Sequence, residues 1–261
     1  MEPVIFSTDE LLGMAAAERI FTGIKTTYQQ GKKYVLGCPG GRSPRSTFKA
    51  LAQLIATNQQ PLTHLTIAMM DEFAVESPAG EFSNVSEDSH FSCKRFAFKE
   101  IRDVLDAGIP QELHIPHEQV LVPDARNPQA YEDLLRGIGI DCFLLASGTS
   151  DGHVAFNPIG TDQNEVTRIA RLAKETRTDN LQTFPDFADI SEVPKFGVTV
   201  GPGTISAVSK SAIMLLQGAH KRLAFTRISA ATHFESDWPA TIIADCNNPL
   251  LFADSEAAGL A

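Results

Sequence analysis

The sequence predicts an α/β fold, a mainly parallel sheet flanked by helices, and three observations carry that expectation. Short apolar runs that suit buried strands recur at 34–37, 64–70, 142–146, 196–200 and 212–216. Segments with apolar residues at helical spacing lie between several of them, at 7–30, 46–56 and 128–138. The runs end in glycines or in chemically loaded side chains, and open α/β sheets bind ligands beyond the carboxyl ends of their strands.

The 261-residue chain, 43% hydrophobic, has room for one large α/β domain and reads as one, residues 1–261, with a candidate lid over 77–105. Its net charge of −10 repels nucleic-acid backbones and anionic membranes at long range. No apolar run approaches the ~20 residues that span a bilayer, and the first residues carry neither a basic nor an apolar signal region. Cys38, Cys93, Cys142 and Cys246 form no CxxC pair and read as reduced packing residues. The expectation is a cytoplasmic protein with no nucleic-acid or membrane partner.

In chain order, Ser7-Thr8-Asp9-Glu10 supplies a helix cap with acidic residues behind it, and Leu11, Leu12, Met14, Ala15, Ile20 and Ile24 continue at helical spacing. The strand 34–37 breaks into Cys38-Pro39-Gly40-Gly41-Arg42-Ser43-Pro44 before helical spacing resumes through Phe48, Leu51 and Leu54. A glycine loop between a strand and a helix N-terminus makes an anion site from backbone N–H groups and the helix dipole. It lacks the Gly-Lys-Ser/Thr of a nucleotide-phosphate loop and the three-glycine dinucleotide fingerprint. The run 64–70 closes on Asp71-Glu72, which puts two carboxylates on the same sheet edge. The polar stretch 77–90 reads as a loop, and 91–104 as a helix placed to cover the site. His114 and His117 have no third ligand nearby, so no metal site is expected there.

The strand 142–146 stops at Ser147-Gly148-Thr149-Ser150 and presents Asp151 and His153 two residues apart. An aspartate so placed can fix the imidazole tautomer and raise its basicity. Residues 166–172 alternate like a strand with Arg168 and Arg171 on a solvated face, and 185–194 are irregular. The run 212–216 ends near His220-Lys221-Arg222, where a cation can meet an anionic substrate. Residues 241–245 read as the last strand and 255–261 as a frayed tail.

Five segments run collinearly through nearly the whole chain: Leu36 to Pro44, Met70-Asp71-Glu72-Phe73, Asp151 to Asn157, Val193 to Gly201 and Gly218-Ala219-His220-Lys221. In order and wording they resemble the superfamily of glucosamine-6-phosphate isomerases/deaminases and 6-phosphogluconolactonases, nearer the isomerase/deaminase branch. The resemblance implies a modified doubly wound, Rossmann-like sheet. It also implies conversion of an amino-hexose 6-phosphate to a ketose 6-phosphate, with ammonia release in the deaminase branch. In that branch Asp71 moves a proton between C2 and C1, and Asp151 and His153 open the sugar ring. Gly40, Gly41, Arg42, Ser43 and Lys221 then hold the phosphate, with Glu72 and Asn157 as candidates for supporting roles. No cofactor or metal is implied, the partner is a small-molecule sugar phosphate, and the oligomeric state, a homo-oligomer included, stays open.

The chain departs from the deaminase pattern in four places. Phe-Asn-Glu-Pro becomes Phe156-Asn157-Pro158, without the glutamate that assists the histidine. An arginine that contacts the phosphate falls near Gln182, while a loop glycine becomes Arg42, whose planar fork can restore that charge. The Gly-x-Gly before Asp151 reads Ser147-Gly148-Thr149. The lost glutamate is compatible with the alternative activity, a 6-phosphogluconolactonase in which His153 activates water. A non-catalytic sugar-phosphate sensor ranks third, because nothing before the first helix could hold a helix-turn-helix and the charge opposes DNA.

Overall fold

Seven parallel strands form the central sheet in the computed structural model, which describes residues 1–260. The first half of the chain runs β1 (Pro3–Phe6), α1 (Asp9–Gln29), β2 (Tyr34–Cys38), α2 (Arg45–Asn58), β3 (Leu65–Met69), β4 (Asp71–Glu76), β5 (Phe82–Asn84), α3 (Cys93–Phe96) and α4 (Asp103–Asp106). It continues with β6 (Val120–Leu121), α5 (Pro128–Ile138), β7 (Cys142–Ala146), β8 (Arg168–Arg171), α6 (Lys174–Thr183) and β9 (Phe196–Thr199). The last elements are α7 (Pro202–Val208), β10 (Ala212–Leu216), α8 (Arg222–Ala230) and β11 (Pro249–Asp254).

The central sheet has the order β1-β11-β10-β7-β2-β3-β6, parallel at every pairing. From β2 the chain builds outward to β3 and β6, then crosses back to place β7, β10 and β11 on the other side. This is the doubly wound plan, and its switch point opens a crevice beyond the carboxyl ends of β2 and β7. Every residue of β2, β3 and β10 is buried. Parallel strands covered on both faces read as unbroken apolar runs for that reason. Leu36, Ile67, Leu144 and Ile213 face one core, and Val35, Ala68, Leu145 and Met214 face the other. On the first face α1 packs against α2, with Thr8 accepting a bond from the Leu11 amide at 3.3 Å and Asp9 and Glu10 in the first turn.

A second, antiparallel sheet, β5-β4-β9-β8, is not anticipated by the sequence patterns as a unit. β4 leaves β3 through the single residue Met70, and Asp71 pairs with Thr199, Glu72 with Val198. The acidic pair thus opens a strand instead of forming a turn. Its four leading residues are buried while Val75 and Glu76 are exposed, so the period-two pattern that marks a strand is missing.

Two other expectations are corrected. Residues 241–245 belong to a 3₁₀ helix, Pro239–Asp245, because a short apolar run after a proline serves a buried helical turn as well as a strand. The last strand is β11, and the tail behind it is pinned: Asp254 Oδ1 accepts from the Ala257 amide at 2.7 Å, although Ala261 lies outside the described residues. The stretch expected as a lid, 77–105, contains β5 and a helical segment whose Phe96, Ala97, Ile101 and Leu105 are buried in the core. Cys93 of that segment lines the crevice, as do polar side chains of α6.

Gly37 of β2 lies under the ring of Phe143 in β7, 1% exposed, and a Cβ there would come within 2.3 Å of the ring. Gly37→Ala is expected to cost roughly 1–3 kcal/mol of unfolding free energy in urea titrations. Adding Phe143→Leu should give a double variant that loses less than the sum of the two single losses. Simple additivity would mean that the two residues do not press on each other.

Candidate active site

The crevice at the switch point is a cleft of about 550 Å³ walled by the loop after β2, the start of β4, the turn after β7, α6 and the segment after β10. Gly40, Gly41, Arg42, Ser43, Asp71, His153 and Lys221 all line it, so the structure brings most of the sequence candidates to one place. α2 begins behind the glycine loop with no side chain capping its first amides.

Asp71 is 6% exposed and sits beside an apolar wall in which Phe73 meets Phe156 at 4.9 Å and Phe184 at 6.3 Å between ring centroids. Burial pushes its carboxyl up to about 7, with neighbouring Glu72 adding to the rise and the Cys93 thiol and His153 opposing it. The thiol donates to Asp71 Oδ1 at 3.3 Å.

Asp151 does not line the cleft. It lies behind His153, 2% exposed, and His153 Nδ1 is 2.7 Å from its Oδ1. Burial resists its ionisation, yet the bonds and charge of His153 hold Asp151 below the usual carboxylate range. A carboxylate can only accept, so Nδ1 carries the proton it donates to Asp151, and Nε2 is the other nitrogen of a ring that lines the cleft. Thr176 Oγ1, at 3.2 Å from Nδ1, is placed as a second acceptor. Two glycines permit this pairing. A Cβ on Gly148 would sit 2.2 Å from Asp151 Oδ1, and Gly152, at φ 63°, passes under the ring of Trp238.

The two candidates for supporting roles are both held in buried hydrogen-bond networks. Glu72 accepts from the amides of Phe73 (2.8 Å), Cys93 (2.9 Å) and Lys94 (2.8 Å) and from Ser92 Oγ (2.9 Å), which clamps the start of α3 to β4. Asn157 is fully buried, donates to the carbonyls of Val154 (2.9 Å) and Val200 (2.7 Å), and accepts from Arg168 Nη1 at 2.8 Å. Arg168 therefore leaves the solvated face expected for it and props the Asp-Gly-His turn, paired also with Glu165 at 3.0 Å. His114 and His117 serve packing: His114 Nε2 lies 3.0 Å from the Ile109 carbonyl, and His117 stacks on Phe98.

Lys221 is 8% exposed, with Nζ donating to the Ser147 carbonyl at 2.5 Å and to Thr149 Oγ1 at 3.3 Å. Burial pushes its ammonium down to about 8; Asp179 opposes the fall and Arg42 adds to it. Arg42 Nη2 donates to Gln182 Oε1 at 3.3 Å, so the loop cation faces α6 across the cleft. The sequence reading misses α6 altogether. Its Thr176, Asp179, Asn180 and Thr183 line the cleft, and their spacing of three, four and seven residues, one helix face, is the signal that could have found it. Asp179 Oδ2 accepts from the Thr149 amide at 3.3 Å.

Fold and cleft together define an α/β protein with a buried carboxylate and an Asp–His pair next to a glycine-rich loop. The chain belongs to the family of glucosamine-6-phosphate isomerases/6-phosphogluconolactonase, whose family model matches residues 7–252. It is 32% identical over 258 residues to a glucosamine-6-phosphate deaminase of Shouchella clausii, covering 96% of this chain and 94% of that protein. The glucosamine-6-phosphate deaminase of Drosophila melanogaster is 28% identical over 263 residues, 98% of this chain and 89% of the relative. A solved monomeric glucosamine-6-phosphate deaminase matches over the full length of both chains with a TM-score of 0.83 at 25% identity. The 6-phosphogluconolactonase of Leishmania guyanensis shares the fold, with a TM-score of 0.68 at 18% identity over 98% of this chain and 97% of its own.

Asp71 also sets a stability signature. Its folded pKa, about 7, lies above the ordinary 3.8, so the folded state binds more protons between those values and stability falls as pH rises through that window. Asp71→Asn is expected to unfold later than the wild type at pH 8, by on the order of 2–4 kcal/mol, with the gap closing as pH drops below about 4. A wild-type–variant difference that does not change with pH in denaturant titrations would contradict the buried-carboxylate assignment.

Proposed function

We propose that this enzyme converts an amino-hexose 6-phosphate to the ketose 6-phosphate with release of ammonia. The observation that carries the reading is Asp71: a buried carboxylate, pushed by burial up to about 7, in the same cleft as His153, which Asp151 backs. A base of that strength suits proton abstraction next to a carbonyl, and an imidazole with a bare Nε2 suits exchange with sugar oxygens. His153 Nε2 takes the anomeric hydroxyl proton and returns it to the ring oxygen as the bond from C1 to that oxygen breaks, giving the open-chain aldehyde. Asp71 removes the C2 proton to form the enolamine and returns it at C1, leaving an imine at C2. Water adds there and ammonia departs, so amino-hexose phosphate and water balance ketose phosphate and ammonia.

Lys221 and Arg42, with the amides of Gly40 and Gly41 and the Ser43 hydroxyl, are assigned to the phosphate. Backbone donors alone suit a monoester of one to two negative charges poorly in a chain of net charge −10. The Lys221 ammonium supplies a point charge and the Arg42 guanidinium a fork for two oxygens.

Asp71→Asn is expected to lower amino-hexose phosphate turnover by roughly 10²–10⁴-fold. A lactonase needs no C2 proton transfer, so a variant that keeps full activity on 6-phosphogluconolactone as its main reaction would replace this reading. For the wild type, kcat/KM should rise with pH through about 7, as Asp71 ionises, and fall above about 8, as Lys221 loses its proton. Lys221→Arg should remove the alkaline limb. Arg42→Ala should weaken binding of the phosphorylated sugar by roughly 1.5–3 kcal/mol and leave the unphosphorylated sugar unaffected, as isothermal titration can show. Equal losses for both sugars would take Arg42 out of the phosphate site.

A further inference from the structure

The proposed base has one hydrogen-bond donor among the described residues, and it is a thiol. Cys93 Sγ lies 3.3 Å from Asp71 Oδ1. Its place is fixed from two sides. The Cys93 amide is held by Glu72 Oε1 at 2.9 Å, and the preceding Ser92 caps the Arg95 amide at 3.2 Å. Cys93 also lines the cleft, and a Cβ on Gly40 would stand 3.9 Å from its sulfur, so it bridges the base and the anion loop. Burial and the nearby carboxylates push the thiol well above its usual range, which keeps it protonated and a donor.

We propose that Cys93 is a positioning residue for this reaction, its Sγ–H donating to Asp71 Oδ1 so that Oδ2 is the oxygen turned to substrate. The inference rests on reading Asp71 as the base. A thiol donates weakly. A hydroxyl in its place would stabilise the carboxylate further and weaken it as a base, whereas no donor would leave it protonated to higher pH. The other titratable groups that bear on Asp71 are Glu72 on its own strand, His153 after β7 and Tyr131 on α5, and none of them donates to it. Tyr131 gives its hydroxyl to the Met69 carbonyl at 2.7 Å.

The test compares Cys93→Ala and Cys93→Ser with the wild type in the full chain. In Cys93→Ala the acidic limb of kcat/KM for the amino-hexose phosphate should move up by about 0.5–1 pH unit, and in Cys93→Ser it should move down by a similar amount. At pH 6 that makes the alanine variant roughly three- to tenfold poorer than the wild type, a larger loss than at pH 8. The serine variant should lose kcat on the plateau while KM holds. Limbs that coincide with the wild type, or that both move the same way, would overturn the proposal. A ¹³C titration of the Asp71 carboxyl, assigned by its disappearance in Asp71→Asn, reads the same opposite shifts without turnover. If the wild type fails to turn over any amino-hexose phosphate, the functional reading falls, while the carboxyl titration still decides what Cys93 does.

Discussion

The site depends on one buried carboxylate whose oxygens are engaged by the fold. Glu72 collects four donors, three of them backbone amides, and so ties the first residues of β4 to the first residues of α3. Removing a group with that many buried partners would leave each of them unpaired, which is costly in a low-dielectric interior. The clamp also fixes Asp71 on one side and Cys93 on the other, because each adjoins a clamped atom in the chain. Two neighbouring carboxylates thereby take different work. Glu72 is satisfied by the fold, and Asp71, with a single thiol donor and an aromatic wall, stays available for a proton.

The Asp-Gly-His turn is built with the same economy of freedom. Ala155 holds φ at 51°, a conformation unfavourable for a side-chain-bearing residue, and persists because both flanks are locked. Asn157 ties the far flank to Val200 and Arg168, and Phe156 donates its amide to Thr199 Oγ1 at 3.1 Å. Trp238, 5% exposed, closes over Gly152 on the near flank. The second sheet is therefore what holds the turn: Thr199 ends β9, the strand that pairs with both Asp71 and Arg168. Base and imidazole are referenced to one strand even though they follow β3 and β7 of the other sheet.

The central sheet and the cleft-lining loops were legible in the sequence because their signals are local. A buried parallel strand is an apolar run, and the loop at its carboxyl end shows its chemistry in consecutive letters, as Gly40 to Ser43 and Asp151 to His153 do. What stayed hidden is set by tertiary partners. Nothing near Glu72 in sequence reveals donors twenty residues on at Ser92 to Lys94. Arg168 looked like a solvated strand residue because its partner Asn157 sits across a loop. α6 has almost no apolar face, with Thr176 as its one buried residue, since its inner side meets the cleft rather than a core. A helix that packs against a ligand site gives up the hydrophobic stripe by which helices are recognised.

That placement bears on how the anion subsite is charged. Lys221 is held by the Ser147 carbonyl and Thr149 Oγ1, both on the turn after β7, and Asp179 of α6 offsets part of its charge. Gln182 of α6 is reached by the Arg42 guanidinium from the loop after β2. Arg42 sits on a loop that emerges from a strand buried along its whole length, whereas α6 is anchored by few buried side chains. Both cations then belong to loops at the sheet's switch point, and the helix over the cleft contributes neutral groups and one carboxylate. The cations that line the cleft are placed by the sheet, whose geometry is stiff, and Asp179 of the helix offsets part of their charge.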